Sequence, residues 1–266
     1  MTPPAATRVP PARVSRQRVG RAGILVLVVV AYLVAARLAE VDLAALAAGV
    51  PRMAEWAAKA WPPSTQGLDT LLLRAAETVS MALLGTTLAL VLAVPTAVLA
   101  ARNLTPEPWL RMPVRWLLNV FRGTDAFVFA ILFVAAVGLG PFAGVLGVGL
   151  HTWGSMAKLF AEAIEGLPAG PLEAVATTGA SRLKVVSFAL LPDALPGLTS
   201  VVLYFLEFNI RASTVLGIVG AGGIGQELKS SMDLLNFPRL FTILVVILAL
   251  VTVVDQLSSR VRARLG

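Results

Sequence analysis

Two pairs of oppositely charged residues lie in strongly apolar stretches of this sequence. Glu207 and Arg211 are four residues apart, and Arg122 and Asp125 are three apart, so on a helix each pair shares one face and can form an ion pair. Either arginine could give charge-assisted hydrogen bonds to an oxyanion, although the pairs could equally neutralise themselves and stabilise packing. Because Glu77, Asp125 and Glu207 offset the two arginines, these charges alone do not indicate an anionic ligand.

The residue types that are missing exclude most enzymatic chemistry. There is no cysteine, and the single histidine, His151, cannot form a histidine cluster for zinc. None of the four lysines follows a glycine, so no G-x-x-x-x-G-K-[ST] phosphate-binding loop is present and any ATP hydrolysis belongs to a partner. A lone histidine in an apolar helix is more often a hydrogen-bonded packing residue than a titrating group.

A glycine-rich stretch, residues 220–225, matches the G-x-G-x-x-G pattern of dinucleotide-binding sites. Such a site needs a preceding strand within a βαβ unit, whereas here the preceding segment is an apolar span. We interpret the stretch as a turn near the outer surface of the membrane that the chain spans. Non-helical backbone at that depth must line a cavity or be buried in protein. The candidate gate-region residues are Gly220, Gly222, Gly223 and Gly225.

The overall composition is that of a membrane protein. The 266 residues are 57% apolar and 14% charged, with a mean hydropathy of +0.82, whereas soluble domains are about 45–50% apolar and about 25% charged. This apolar content excludes a disordered chain, and the absence of cysteine excludes a disulfide scaffold. A net charge of +7 would suggest nucleic acid as a partner in a soluble protein, but here a positive-inside bias explains it better.

Apolar stretches of about 20 residues predict roughly six membrane-spanning helices. The third span consists of two shorter runs, and we place its break at Gly123. Between the first two spans, a mixed segment with Trp56 and Trp61 is typical of an interfacial, amphipathic region. A cleaved signal peptide is the less favoured interpretation of the first run. The expected spans cover residues 22–39, 72–101, 114–139, 142–164, 197–219 and 240–257.

Basic residues are distributed unevenly between the two sides that six spans define. With the N-terminal tail inside, the inner segments hold 14 of the 22 Lys and Arg residues and the outer segments hold six. The positive-inside rule therefore predicts that both termini are cytoplasmic. The charge then reflects topology in the lipid bilayer, and no nucleic-acid partner is expected.

The loop between the fourth and fifth spans, residues 170–197, is too polar to cross a membrane. Glu173 suits the first turn of a short helix, where it complements the helix dipole, and Gly179 permits a tight turn. A second short helix, residues 182–190, is expected to stop before Leu191-Pro192. This pattern predicts a small rigid knob on the cytoplasmic side.

The spacing within this loop resembles the EAA loop of ABC importer permeases. Glu173-Ala174 is followed by Gly179 six residues after the glutamate, and Leu191-Pro192 lies twelve and thirteen residues after that glycine. Val175 stands where the signature usually has a second alanine. Three other stretches are similar to the phosphonate/phosphite-type permeases of that superfamily: FVAAVGLGPFAGV (133–145), His151-Thr152 and NIRASTVLGIVGAGGIGQ (209–226).

The resemblance implies an all-α integral membrane protein of about six transmembrane helices with the type I, methionine-permease-like fold of ABC importers. Residues 71–258 would form the importer transmembrane domain. Residues 1–70 would be a basic tail, a first span and an extracytoplasmic segment, and 259–266 a basic cytoplasmic tail. The implied function is a non-enzymatic permease subunit in the bacterial inner membrane, forming the pathway for a small oxyanion such as phosphonate or phosphite.

The resemblance also implies partners. A dimer of cytoplasmic ABC ATPases, which would hold ATP and Mg, docks on the loop, and this chain itself binds no cofactor or metal. A second permease copy, identical or paralogous, encloses the pathway, and an extracytoplasmic binding protein delivers the cargo. The coupling residues implied are Glu173, Ala174, Gly179, Leu191 and Pro192.

Two alternatives remain open at this point. One is an ABC permease for another small solute, such as methionine. The other is a self-sufficient secondary transporter, a class that usually shows inverted repeats and interrupted helices. No convincing internal repeat is visible in the sequence, which favours the importer subunit.

Overall fold

The computed structural model describes residues 16–168, 170, 174–175, 177–179 and 181–264. All regular structure in these ranges is helical, so the predicted all-α class is confirmed. The chain divides into two units, residues 1–56 and 57–266. Each unit is described separately below.

In the first unit, α1 (Arg16–Leu38) is an apolar helix whose side chains, described from Arg21 with the exception of Ala22, are exposed. Asp42 then starts α2 (Leu43–Lys59), since its Oδ1 accepts hydrogen bonds from the backbone N–H groups of Ala44 and Ala45 at 2.8 and 2.9 Å. Apolar positions on α2 follow an i, i+3, i+7, i+10 spacing, which places them opposite its charged residues. This agrees with the amphipathic segment expected between the first two spans.

The second unit is a bundle with one long central pair of helices. α3 (Leu68–Ala100) and α6 (Pro141–Glu165) lie side by side along much of their lengths. The remaining elements are α4 (Pro108–Gly123), α5 (Ala126–Val137), α7 (Arg182–Val185), a π-helical turn (Val186–Leu190), α8 (Leu191–Leu216), a 3₁₀ turn (Gly217–Val219), α9 (Ile224–Asp233) and α10 (Phe237–Arg262).

By length and apolar composition, three of the described helices could cross a membrane alone: α3, α8 with its 3₁₀ turn, and α10. The count rises to five if the bent pairs α1–α2 (53°) and α4–α5 (87°) are each one span. The fourth predicted span corresponds to α6, which is long enough at 25 residues but has about half of its residues buried. A helix surrounded by protein can carry polar residues. This explains why α6 is not among the helices that are apolar enough to cross a membrane alone.

Small residues allow α3, α5 and α6 to pack with their backbones close together. A β-carbon at Gly85 of α3 would lie 2.9 Å from Val148, and one at Gly147 of α6 would lie 2.8 Å from the backbone nitrogen of Ala130. The α3 face that meets the core is lined with buried alanines. Gly147 therefore allows the backbones of α5 and α6 to approach closely.

The break in the third span lies directly after Gly123, as predicted, but the reason differs. Gly123 is the last residue of α4, and its φ lies outside the positive range that favours glycine. Asp125 ends the break, because its side chain accepts a hydrogen bond from the backbone N–H of Phe127 at 2.8 Å and caps α5. α4 begins at Pro108, six residues before the predicted start of the third span, and a proline suits the first turn of a helix.

The expected helix stop before Leu191-Pro192 is wrong. Helical structure continues from Arg182 through the π-helical turn into α8. In that turn the N–H of Leu191 bonds to the carbonyl of Val186, five residues earlier. Pro192 lies in the first turn of α8, directly after this wider π-helical turn.

Candidate functional site

The 166–190 segment joins α6 to α8, and Thr177, Thr178 and Gly179 are exposed at one tight turn within it. Gly179 has a φ of +76°, and a β-carbon there would meet nothing within 4 Å. Glycine is therefore suited to this position by its backbone conformation rather than by space. Ala174, Leu191 and Pro192 are exposed, whereas Glu173 lies outside the described residues.

An exposed aromatic ring lies on the same segment. The side chain of Phe188, on the π-helical turn, is 75% exposed. Its neighbour Leu190, in contrast, is buried in the core with Ala194, Leu118 and Phe160. The turn is therefore anchored to the bundle on one side and presents an apolar ring on the other.

The helix ends beneath this segment are tied together by Glu165, the last residue of α6. Its Oε1 accepts a hydrogen bond from the backbone N–H of Arg102 at 2.7 Å and pairs with the guanidinium of Arg115. Arg115 in turn donates from Nε to the carbonyl of Ala100 at 2.8 Å. We call this end of the bundle the loop end. Sequence reasoning assigned Arg115 only to topology and missed this anchor.

At the opposite end, the glycine end, the 220–225 stretch forms a buried turn between α8 and α9. Gly220, Gly222 and Gly223 have positive φ angles. The backbone N–H of Ile224 bonds to Thr78 Oγ1 of α3 at 2.9 Å, and no strand precedes the stretch in the described chain. The dinucleotide interpretation therefore finds no structural support, and the glycines serve close backbone packing. The short helix α9 that follows them was not predicted.

At Gly225 the packing is closest. A β-carbon there would lie 1.9 Å from the carbonyl oxygen of Thr214 and 2.9 Å from the Cα of Gly217. The backbones of α8 and α9 touch at this point, and only a glycine allows it. The four candidate gate glycines, Gly220, Gly222, Gly223 and Gly225, all lie in this closely packed turn.

A buried polar cluster joins three helices halfway along the bundle. Asn209 of α8 donates from Nδ2 to Thr86 Oγ1 of α3 at 2.9 Å and accepts at Oδ1 from Thr152 Oγ1 of α6, also at 2.9 Å. All three side chains are almost fully buried. The sequence reasoning did not single out this cluster. The cluster could have been predicted from Asn209, which lies within an apolar span, because polar side chains at such positions usually form hydrogen bonds across helices.

We expect Asn209→Ala to lower the free energy of unfolding by about 1–3 kcal/mol, because it removes both interhelical bonds and leaves a small void. Thermal unfolding of the purified protein in detergent measures the effect. Asn119→Ala is the matched control, since Asn119 accepts a single exposed bond from Lys158. Equal destabilisation by the two variants would contradict a structural role for the cluster.

The charges within the spans pair differently from the prediction. Glu207 pairs with Arg262 in the last turn of α10, with 2.7 Å between Oε1 and Nη2, and not with Arg211. Asp125 caps α5 and forms no ion pair with Arg122 in the described chain. The spacing along each helix allowed the predicted pairs, but neighbouring helices and a backbone N–H supply the partners.

Glu207→Gln is expected to lower the unfolding free energy by about 1 kcal/mol, since the guanidinium of Arg262, itself one-third exposed, loses its charged partner. In a double-mutant cycle, most of this loss should disappear in the Arg262→Gln background. Arg211→Gln is the control and should change stability by less than about 0.5 kcal/mol. Coupling of Glu207 to Arg211 in place of Arg262 would contradict the observed pairing.

Arg122 and the only histidine come together at a cavity of about 230 Å³ between α4, α6 and α8. His151 Nδ1 lies 2.8 Å from the backbone carbonyl oxygen of Thr124 in the break between α4 and α5. A histidine that helps to hold the break in place agrees with the hydrogen-bonded packing role expected for it. A second and larger cavity, at the glycine end, is lined partly by Gly220 and Lys229.

Comparison with known proteins relates this arrangement to a transport family. The family described as binding-protein-dependent transport system inner membrane component matches residues 93–266. HtxC, a transport system permease protein of Stutzerimonas stutzeri, is 48% identical over 84% of this chain and 79% of its own length. PtxC, a phosphite transport system permease protein of the same species, is 42% identical over 83% of this chain and 80% of PtxC.

A third relative and two solved structures extend the comparison. PhnE of Mycolicibacterium smegmatis, a phosphate-import permease protein, is 40% identical over 77% of this chain and 38% of PhnE. The MetNI methionine ABC transporter in an inward-facing conformation has a chain with a TM-score of 0.68 at 24% identity, covering 76% of this chain and 100% of that chain. An amino acid ABC transporter has a TM-score of 0.61 at 14% identity, over 80% and 97% of the two chains. These structures show the same fold, which confirms the predicted methionine-permease-like architecture.

Proposed function

This chain belongs to the family of binding-protein-dependent transport inner membrane components, as a permease subunit of an ABC importer, and we propose that its cargo is a small phosphorus oxyanion, phosphite or a phosphonate. The observation that carries this proposal is its similarity to PtxC, which extends over 83% of the chain at 42% identity. That similarity extends well beyond the loop into the helices that would line a pathway. The methionine alternative rests on weaker similarity, at 24% sequence identity to D-methionine transport permeases against 42% to PtxC, and is not favoured.

The exposed loop is, in this proposal, the contact with a pair of cytoplasmic ATPases. The turn at Gly179 and the ring of Phe188 offer a small protruding surface, and Glu165 and Arg115 hold the helix ends beneath it. A rigid base transmits the movement of a docked partner to the helices, because little of that movement is absorbed locally. Glu173, which lies outside the described residues, belongs to the same contact.

ATP and Mg would be held by those ATPases, because this chain carries no phosphate-binding loop. An extracytoplasmic binding protein would deliver the cargo at the glycine end. A second permease copy, identical or paralogous, would complete the pathway. Large apolar side chains remain exposed on several helices of the single chain, and lipid and a second copy together would cover them.

The orientation follows from charge. The inner segments hold 14 of the 22 basic residues under the six-span topology, so the positive-inside rule places both termini and the loop end in the cytoplasm. The chain is an inner membrane component by family, and the loop end then faces the compartment that contains ATP.

The test is uptake by the complete importer. The permease, its ATPase and its binding protein are reconstituted in proteoliposomes, and ATP-dependent accumulation of phosphite, methylphosphonate, phosphate and methionine is measured. We expect accumulation of phosphite or methylphosphonate that stops when ATP is withheld. Accumulation of methionine only would overturn the proposed cargo, and accumulation without any ATPase would indicate a self-sufficient transporter.

A further inference from the structure

The guanidinium of Arg122 has no partner in the part of the chain that the structure describes. It forms no ion pair and no side-chain hydrogen bond there, since Asp125 is engaged in capping α5. Arg122 lies in the last turn of α4, within a broken span. An unpaired charge inside a membrane-spanning segment is costly and by default indicates a functional site.

Three further polar groups line the same cavity as Arg122. They are the hydroxyls of Ser155 and Tyr204 and the imidazole of His151, and the rings of Phe205 and Phe208 supply apolar walls. Neither hydroxyl forms a hydrogen bond within the described ranges of the chain. Polar groups that converge without partners beside apolar walls typically mark a ligand site.

The cavity lies near the mid-length of α6 and α8, and at the break that follows α4. His151 is ten residues from Pro141, the start of α6, and fourteen from Glu165, its end, which corresponds to about 15 and 21 Å at a rise of about 1.5 Å per residue. Tyr204 likewise lies thirteen residues after Leu191, the start of α8, and twelve before its end. A ligand bound here would be held between the two ends of the bundle.

The hydrogen bond of His151 determines which of its ring nitrogens can serve a ligand. Because the carbonyl oxygen of Thr124 can only accept, Nδ1 must carry the proton of that 2.8 Å bond. In the neutral imidazole, Nε2 is then an acceptor. It has no partner among the residues that the structure describes.

We propose that the cavity bounded by Arg122, His151, Ser155 and Tyr204 binds a phosphorus oxyanion that retains one P–OH group. Arg122 would contact two unprotonated oxygens, an arrangement that suits the planar guanidinium. His151 Nε2 would accept the hydrogen bond of the P–OH group. Sulfate carries no proton near neutral pH and would place a lone pair against that of Nε2, so the site disfavours it.

This inference rests on the proposed function, and a thiol-labelling experiment tests the site independently of transport. The chain has no cysteine, so Ser155→Cys introduces one thiol into the subunit at the cavity. In the assembled importer, we compare its reaction rate with an anionic and a cationic methanethiosulfonate reagent, each corrected for its rate with a free thiol. Ser230→Cys, in the cavity at the glycine end, is the matched control.

We expect the anionic reagent to be favoured about tenfold or more at position 155, because a charge-assisted contact to Arg122 is of that order. Phosphite should slow the labelling, sulfate at the same concentration should not, and Arg122→Gln should remove the preference. Phosphite should leave the control position unaffected. Equal rates with both reagents, no reaction at position 155, or no protection by phosphite would overturn the anion site, and equal protection by sulfate would overturn the role of His151.

Uptake measurements distinguish a failure of this inference from a failure of the proposed function. If the unaltered importer accumulates neither phosphite nor methylphosphonate, the proposed cargo is wrong whatever the labelling shows. If it does, Arg122→Gln should reduce phosphite uptake at least about tenfold. Arg211→Gln should not, because Arg211 is an equally exposed in-span arginine that lies outside the cavity. Normal uptake by an assembled Arg122→Gln importer would overturn the site.

Discussion

Gly179→Pro is expected to abolish ATP-dependent uptake while leaving the protein inserted in the membrane. Proline holds φ near −65°, whereas Gly179 has a φ of +76°, so the turn cannot form with proline in it. The exposed segment would then present a different surface to the ATPase. Co-purification of the ATPase with the tagged permease, followed by uptake in proteoliposomes, measures both consequences.

Gly179→Asn is the matched control for this change. Asparagine tolerates the left-handed conformation better than other side chains, and a β-carbon at this position would meet nothing within 4 Å. We therefore expect Gly179→Asn to keep most ATPase binding and uptake, with a cost of about 1 kcal/mol or less. Gly179→Ala should lie between the two variants. Retained ATPase binding by Gly179→Pro would contradict the assignment of this segment as the docking site.

The second large effect is expected for Gly225→Ala, at the contact of α8 and α9. The new β-carbon would lie 1.9 Å from the carbonyl oxygen of Thr214, and this neighbour is backbone, which cannot rotate away. The two helices must separate, so we expect a loss at or above the upper end of the about 1–3 kcal/mol that overpacking usually costs. Thermal unfolding in detergent and the yield of monodisperse protein measure it.

Gly123→Ala is the control for Gly225→Ala. Gly123 ends α4 without a positive φ, and a β-carbon added there would meet nothing within 4 Å, so alanine should be neutral or slightly stabilising. This control also tests the origin of the break in the third span. A large loss at Gly123 would mean that the glycine itself, and not the cap at Asp125, sets the bend.

Several elements could be predicted from the sequence because they depend on local patterns. Apolar runs of sufficient length predicted α3, α8 and α10, and the break in the third span was correctly predicted at Gly123. The predicted turn at Gly179 agrees with its positive φ. The predicted stop at Pro192 failed because a π-helical turn, which no local rule indicated, carries the helix past the proline.

The candidate site was harder to predict, since its contacts join residues distant in sequence. Asn209 meets Thr86, 123 positions away, and Glu207 meets Arg262, 55 positions away. Helical spacing suggested near neighbours as partners, but a charged side chain pairs with whichever opposite charge the fold brings closest. The sequence contained every residue of the cavity, yet no local pattern indicated that four of its polar groups converge.

By itself, the sequence determined that this protein is helical, resides in a membrane and carries a protruding loop with an importer-type spacing, because length, apolarity and a glycine turn act over a few residues. Only the tertiary structure decided which in-span arginine lies in a cavity without a charged partner. With Asp125 capping α5 and Glu207 bound to Arg262, Arg122 is left without a partner in the described chain, beside the imidazole of His151. The packing of separate helices brings that arginine beside His151, and no local sequence pattern encodes this proximity. The arginine is for this reason a candidate for binding the cargo.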